Sequence, residues 1–462
     1  MKSTGFKKTM VAGIAVLGLV AVTACSGGKD GGDSSGDSGS DAVAPAGTDA
    51  EASIIWWGWT PGPPATDHYI EAFNAVYPNI KVEWKQLDID GYNAAIAPAL
   101  GTDTVDVYEM SAGSANGGAE VYGVNAFDLT ADVEAALGAD WKDKLSPLGV
   151  DYMTVDGRLV SLSAGAVYAG NLWINEDLFN QYGLTPPKTY DEWKSVCATF
   201  KENGVGCFVQ GANQGAFNID TYHELVEQVS PGAFDKALAK EVAWTDDVFL
   251  QAMNNWKALF DDGIMQEGAA GLMQYPEANN LFLQQKYAMV MMGTWYTMNV
   301  QPEAMITAME SAGVSNPVPF TIAPIDFPDM VGKGNTGIMF GDADYGVGVS
   351  LKSKNAAASK AFALFLGTSE EGQQAVADSL NLIPALAGIT PNWDNIELVN
   401  DSQKQTVQDL FAHANEATSP RFGNINADMN DALMMALSNV ATGTATPEKA
   451  LAELQSQAES VG

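Results

Sequence analysis

The sequence predicts an α/β fold of more than one lobe, and three observations carry that expectation. Short apolar runs and amphipathic helical stretches alternate in the order βαβαβ over residues 53–108. Strands joined through helices pair in parallel, with the helices covering both faces of the sheet. The alternation resumes from residue 172, and a chain of 462 residues, 46% of them hydrophobic, has the length and apolar content for two cores.

The first strand is Ser53-Ile54-Ile55-Trp56-Trp57, an apolar run stopped at Gly58. Unbroken apolar runs suit strands covered on both faces. After the loop Thr60-Pro61-Gly62-Pro63-Pro64, residues Tyr69, Ile70, Phe73, Val76 and Tyr77 recur at helical spacing until Pro78-Asn79 closes the helix. Ile80, Val82 and Trp84 then alternate with Lys81, Glu83 and Lys85, the pattern of a strand with one face in water. A helical stretch from Tyr92 to Leu100 leads into the strand-like Val105-Asp106-Val107-Tyr108. Downstream, Leu172-Trp173-Ile174 reads as a strand, and a helix opens at Thr189 with Glu192 at the capping-box position. Phe249, Met253, Trp256 and Phe260 form the apolar stripe of a helix ending at Gly263. Thr446-Pro447-Glu448 opens the last helix with a capping threonine and a proline in the first turn.

Lys2, Lys7 and Lys8 precede an uncharged, mostly apolar run at residues 9–24, the charge-then-hydrophobic order of a secretory signal. The run is too short and glycine-broken for a membrane span. Val22-Thr23-Ala24-Cys25 resembles a bacterial lipobox, in which cleavage leaves Cys25 to take acyl chains. Several chains anchor stably where one alone binds marginally. The plainer alternative is a secreted protein with a cysteine there by chance. Residues 25–50 hold no aromatic side chain and little apolar surface to offset chain entropy, and read as a flexible tether. Loss of residues 1–24 removes three lysines and no acid, taking the formal charge from -34 to -37. So acidic a chain argues against nucleic-acid and anionic-lipid binding. Cys197 and Cys207 flank a turn-like stretch, and in an oxidising compartment a disulfide is expected, with two buried thiols as the alternative.

Further segments carry a resemblance. Asp156-Gly157-Arg158-Leu159-Val160 runs into Leu172-Trp173-Ile174-Asn175-Glu176-Asp177-Leu178-Phe179, and Pro186-Pro187-Lys188-Thr189-Tyr190-Asp191-Glu192-Trp193 follows. Then come Tyr287-Ala288-Met289-Val290-Met291-Met292-Gly293-Thr294-Trp295, Ser369-Glu370-Glu371-Gly372, and Gly443 with Thr446-Pro447-Glu448-Lys449-Ala450-Leu451. In this order, behind a lipobox, they resemble the extracellular solute-binding proteins of carbohydrate ABC importers, the maltodextrin-binding-protein-like family, over nearly the whole body. The resemblance implies a two-lobed periplasmic-binding-protein-like fold with discontinuous lobes and a hinge. Residues 1–24 are then a lipoprotein signal peptide and 25–50 a tether; 51–167 with 346–394 form one lobe and 168–345 with 395–462 the other. The chain leaves the first lobe near Ala166, returns near Tyr345 and crosses again near Asn395. It implies, too, an oligosaccharide ligand, ABC permease subunits as partners, and a monomer held at the outer face of the cell membrane by its lipid alone, without cofactor, metal or nucleic acid.

A sugar ring presents C–H faces and hydroxyl edges, so its site needs flat aromatic surfaces and planar amides or carboxylates. With 11 Trp and 14 Tyr the chain can supply both core and cleft. Trp59 lies beyond Gly58 at the C-terminal end of the first strand, where open α/β sheets bind ligands. Trp56 reads as core, and Trp57 is open between the two roles. Trp295 matches the family's position for a stacking tryptophan of the second lobe, with Tyr296 as its neighbour. Tyr168 falls at a crossover where the family places a ligand contact, but with a phenol where maltodextrin-binding protein has a carboxylate, which points away from malto-oligosaccharides. Glu109, Ser111 and Asn116 follow the third strand and either pair ligand hydroxyls or face solvent. Asn213, Gln214 and Phe217 set amides beside an aromatic in a glycine-rich loop that reads equally as a surface turn. Asp342, Asp344 and Tyr345 lie at the second crossing, where the aspartates accept hydroxyls, cap structure or hold a cation. Arg421 matches a site-lining stretch of the family, without the aromatic pair that follows it in maltodextrin-binding protein.

The main rival classes are a secreted glycoside hydrolase, which also uses aromatic clefts and paired carboxylates, and a receptor for another solute on the same fold. The sequence has no Gly-x-Ser-x-Gly elbow, His-Glu-x-x-His, Walker loop or calcium-loop pattern, and His68, His223 and His413 are scattered. The expectation is a binding protein and not an enzyme.

Overall fold

The computed structural model describes residues 43–112 and 118–460. The signal peptide, Cys25, most of the tether and Asn116 lie outside the described residues. The last part of the expected tether is docked: the Ala46 amide donates to the Ala357 carbonyl at 2.8 Å, and Ala46 and Ala50 pack against a hydrophobic core. Small apolar side chains let this segment lie flat on the body.

Two separate cores divide the side chains. The first gathers Trp56, Tyr69, Phe73, Tyr108, Tyr345 and Phe362, and the second gathers Trp173, Trp193, Tyr222, Trp256, Phe282 and Leu437. Each is built on its own sheet. The first sheet has the spatial order Ile80–Gln86, Ala52–Gly58, Val107–Met110, Gly346–Val349, Leu162–Ser163. Its first three strands are parallel, joined through the helices Ala65–Val76 and Ile89–Leu100 as the apolar pattern requires. The other two are antiparallel additions, so the expected mainly parallel sheet is parallel on one side of Val107–Met110 only. That strand also starts later than the apolar pattern suggests. Asp106 instead turns its carboxylate onto the Ile55 amide at 3.0 Å and the Ser353 hydroxyl at 2.5 Å.

The second sheet runs Ile322–Asp326, Asn171–Asn175, Tyr287–Met291, Gly206–Val209, with only the last pair parallel. Around it, Thr189 and Glu192 close a reciprocal capping box on the helix Tyr190–Glu202. The helix Gly215–Val229 is buried on all sides. On it His223 is held between Phe234 and Phe340 at ring distances of 4.0 and 3.9 Å, and burial pushes its pKa down to about 3, so the ring is neutral core.

A third, small sheet lies where the cores meet: Ile383–Pro384, Gly165–Ala169, Phe340–Ala343, Ser419–Pro420. Successive strand residues point to opposite faces, and Gly165–Ala169 uses this directly: Ala166 and Tyr168 enter the second core while Val167 enters the first. None of the described helices is long and apolar enough to cross a membrane.

Cys197 on the helix Tyr190–Glu202 and Cys207 on the strand Gly206–Val209 are joined as a disulfide with a Cα separation of 4.9 Å. Closing so short a loop contributes about 3 kcal/mol in the chain-entropy model. Replacing both cysteines with alanine should lower the unfolding free energy by that amount, and an unchanged unfolding free energy in denaturant titration would contradict the bond.

Candidate functional site

At the C-terminal end of the first strand the chain makes a close approach that only glycine permits. A Cβ on Gly58 would overlap the Glu109 carboxyl. In that space Glu109 Oε2 accepts the amides of Trp59 at 2.8 Å and Thr60 at 3.4 Å, fixing the loop that carries the Trp59 ring. Glu109 is fully buried, and burial pushes its carboxyl well above the usual carboxylate range. Expected either to pair ligand hydroxyls or to face solvent, it lies within the core and supports the loop that carries Trp59. The ring of Trp59 rests edge-on against Tyr92 at 5.2 Å and Tyr345 at 6.3 Å. Tyr92 in turn donates to the Glu109 carbonyl at 2.5 Å.

From the other core comes Trp295, which packs against both cores. Gly293 makes room for it, since a Cβ there would overlap the indole and the Tyr168 carbonyl. The indole N–H donates to the Tyr275 hydroxyl at 3.2 Å, Phe217 lies 6.1 Å away edge-on, and the Arg421 guanidinium sits 4.5 Å above the ring. Arg421 is forked into Asp220 at 2.8 and 2.5 Å, and its other neighbour is Phe422 at 4.6 Å. Asp220 is 1% exposed. The pair is thus a bidentate bridge held between aromatic rings.

Asp342 belongs to the Arg421 side, whereas Asp344 is coupled to both groups. Asp342 Oδ2 accepts the Phe422 amide at 2.5 Å and Oδ1 that of Gly423 at 3.3 Å, so it holds the segment carrying Arg421. Asp344 makes no side-chain hydrogen bond among the described residues, and its charge is felt by Tyr69, Glu109 and Tyr345 on one side and Tyr275 and Arg421 on the other. Tyr168, at the crossover, is buried against Gly341, and its amide donates to the Thr294 hydroxyl at 2.9 Å.

The structure therefore brings together Trp59, Trp295, Phe217, Tyr168, Asp342, Asp344 and Arg421, while Tyr345, expected beside them, is fully buried core behind Trp59 and offers no surface to a ligand. It does not bring Tyr296, which is buried against Trp173 and donates to Asn279 at 3.0 Å. Ser111 bridges to Gly118, and Asn213 donates to the Met273 sulfur at 3.4 Å. Gln214 serves indirectly, its side-chain oxygen accepting the Tyr275 amide at 3.2 Å. Trp56 is core beside Trp84 and Phe362, and Trp57 is buried beneath Lys85, whose ammonium lies 3.3 Å from the ring centre. Sequence reasoning missed Tyr92, Asp220 and Tyr275. Asp220 gave no distinct signal, because its helix also carries His223, Glu224 and Glu227.

Among the described residues no group of three His, Cys, Asp or Glu side chains is placed to hold a metal ion. Burial pushes the Asp342 carboxyl up to about 7 and that of Asp344 up to about 6, against the opposing pull of Arg421. An acid raised above its unfolded value, near 3.9, contributes stability that is full below about pH 4 and is lost as pH rises through its folded value. Asp344→Asn should therefore gain melting temperature relative to the wild type progressively from about pH 4 to about pH 7. A difference independent of pH would contradict this placement.

Residues 56–373 match the bacterial extracellular solute-binding protein family. An uncharacterized ABC transporter extracellular-binding protein of Pyrococcus horikoshii is 26% identical over 155 residues, covering 32% of this chain and 35% of that protein. The chain thus spans about a third of the length of the curated relative it matches. Among solved structures, maltose-bound MalE3 of T. maritima superposes with a TM-score of 0.69 at 18% identity, covering 89% of this chain and 100% of that one. A structure from work on xylan utilization by Caldanaerobius polysaccharolyticus gives a TM-score of 0.68 at 20% identity, with 89% and 100% covered. An ABC substrate-binding protein of Listeria monocytogenes in complex with cycloalternan gives 0.67 at 18%, with 89% and 99% covered. These likenesses establish the two-lobed fold, and the match over 56–373 establishes the family: the chain belongs to the bacterial extracellular solute-binding proteins.

Proposed function

We propose that this protein is an extracellular receptor, anchored by lipid at Cys25, that captures an oligosaccharide between two lobes and delivers it to the permease subunits of an ABC importer. The observation that carries the reading is that Trp59 packs on the first core and Trp295 on both, while Asp344, with no side-chain hydrogen bond among the described residues, is coupled electrostatically to the neighbours of each. Aromatic faces cover sugar rings and carboxylates take their hydroxyls. The structural neighbours bound to maltose and to cycloalternan support the same ligand class. The lobes comprise 51–167 with 346–394 and 168–345 with 395–462, and the ligand closes the hinge between them through contacts made only in the closed state.

A glycosidase reading is less favoured by the same geometry. Paired acid–base chemistry needs two free carboxyls. Glu109 has no exposed surface, its Oε2 held by the Trp59 and Thr60 amides and its Oε1 buried without a partner, and Asp342 is bound to the amides of Phe422 and Gly423, so Asp344 lacks an accessible partner acid.

A thermal-melt survey of neutral oligosaccharides tests the proposal, since a ligand at a hundred times its Kd stabilises the native state by about 2.7 kcal/mol. At least one glycan series should raise the melting temperature; a peptide series doing so while all glycans fail would refute the carbohydrate reading. Trp295→Ala should weaken glycan binding by about 2 kcal/mol, the loss typical of an aromatic anchor. Unchanged affinity in titration calorimetry would remove Trp295 from the site.

A further inference from the structure

We propose that Tyr275 is a ligand contact in its own right, its ring extending the Trp295 surface by one further sugar unit. The inference rests on the carbohydrate reading above and adds to it a residue and a minimum ligand length, a disaccharide.

Tyr275 is the one exposed Phe, Tyr or Trp side chain among the described residues, at 37%. Its exposure is not looseness, because both ends of the residue are held. The segment Gln274–Ala278 is stitched to the loop that precedes the helix Gly215–Val229. Gln274 Oε1 accepts the Gly211 amide at 2.7 Å, the Leu272 carbonyl accepts the Asn213 amide at 2.9 Å, and Gln214 Oε1 accepts the Tyr275 amide at 3.2 Å. A Cβ on Gly211 would overlap the Gln274 amide, so the two stretches meet backbone to backbone. Gln274 Nε2 also donates to the Met291 carbonyl at 2.8 Å, tying the segment to the strand that leads into Trp295. At the tip of the side chain, the Tyr275 hydroxyl donates to the sulfur of the fully buried Met292 at 3.1 Å and accepts the Trp295 indole N–H at 3.2 Å.

These bonds decide what the residue can offer. The hydroxyl proton is engaged within the protein, so the part left to a ligand is the ring. An indole N–H points along the plane of its own ring, so Tyr275 meets the edge of Trp295 and covers neither of its faces; the Arg421 guanidinium lies over one of them at 4.5 Å. Phe217 lies beside both rings, 6.1 Å from Trp295 and 6.0 Å from Tyr275. Asp344 and Arg421 are electrostatic neighbours of Tyr275, which keeps it within the candidate site. Two aromatic rings joined at their edges make a surface longer than one pyranose, and a ring held before the ligand arrives loses little freedom on binding it.

The test is titration calorimetry of the full chain with the mono- to pentasaccharides of the xylo-, malto-, cello- and chito-series, comparing the wild type with Tyr275→Phe and Tyr275→Leu. Tyr275→Phe keeps the ring and loses the hydroxyl, whereas Tyr275→Leu keeps apolar bulk and loses the flat face as well. For a series that binds the wild type, Tyr275→Leu should weaken the di- and longer saccharides roughly tenfold and spare the monosaccharide, and Tyr275→Phe should stay within about threefold of the wild type throughout. Equal losses in the two variants would make Tyr275 a prop for Trp295 and overturn the inference. So would an unchanged Tyr275→Leu, or a loss as large for the monosaccharide as for the longer members. If Tyr275→Leu fails to fold by circular dichroism, the wild-type series decides: a gain of about tenfold from mono- to disaccharide supports the second contact, and equal affinities overturn it. In all these outcomes the carbohydrate reading stands; failure of every glycan to bind the wild type overturns both.

Discussion

The pairing of Gly165–Ala169 with Phe340–Ala343 is the constraint on which the rest of the molecule hangs. Two strands far apart in sequence meet between the cores, and the third member of the ladder, Ser419–Pro420, is added in parallel. Tyr168 and Asp342 lie on these strands; Asp344 and Arg421 follow directly after them. A side chain placed next to a crossover is fixed relative to both cores at once, so a small sheet positions most of the candidate site. Glycine at 341 is part of that bargain of space, because the Tyr168 ring fills the volume a Cβ would need.

Electrostatics at the candidate site are organised by one buried pair. Asp220 comes from the helix Gly215–Val229 and Arg421 from the segment after Ser419–Pro420, so their bridge ties two distant stretches of the second core together. A buried pair gains little net stability over an apolar replacement, yet removing one partner is costly. Its effect here is to fix the plane of Arg421 through Nε and Nη2, beside Asp344, which makes no side-chain hydrogen bond among the described residues. The Trp59 side is organised differently, by the enclosed Glu109 carboxyl that holds two loop amides.

Much of this was legible in the residues. Apolar runs and helical stripes located the strands and helices of the first sheet, and the Thr189–Glu192 spacing located a capping box that both partners complete. Trp59 was singled out by its place beyond Gly58 at a strand end and Trp295 by the family resemblance, and both lie partly exposed at the edges of their cores. What was not legible depends on long-range contact. Glu109 looks like any loop-edge acid until Gly58 is seen to make room for it, and Tyr296 looks like a second cleft aromatic until the Trp173 ring is found beside it. Tyr275 lies in no periodic segment, so only the fold reveals that its hydroxyl receives the Trp295 indole. Strand direction in the first sheet was half legible, since local pattern does not register two antiparallel strands contributed by distant segments.

The most direct test of the central claim is a crystal structure of the protein with the best-binding glycan of the survey. The account predicts a sugar ring lying against Trp295 with a hydroxyl donated to Asp344 and Trp59 closing from the opposite core. A glycan bound on the outer face of either lobe, with Trp295 and Asp344 untouched, would contradict it.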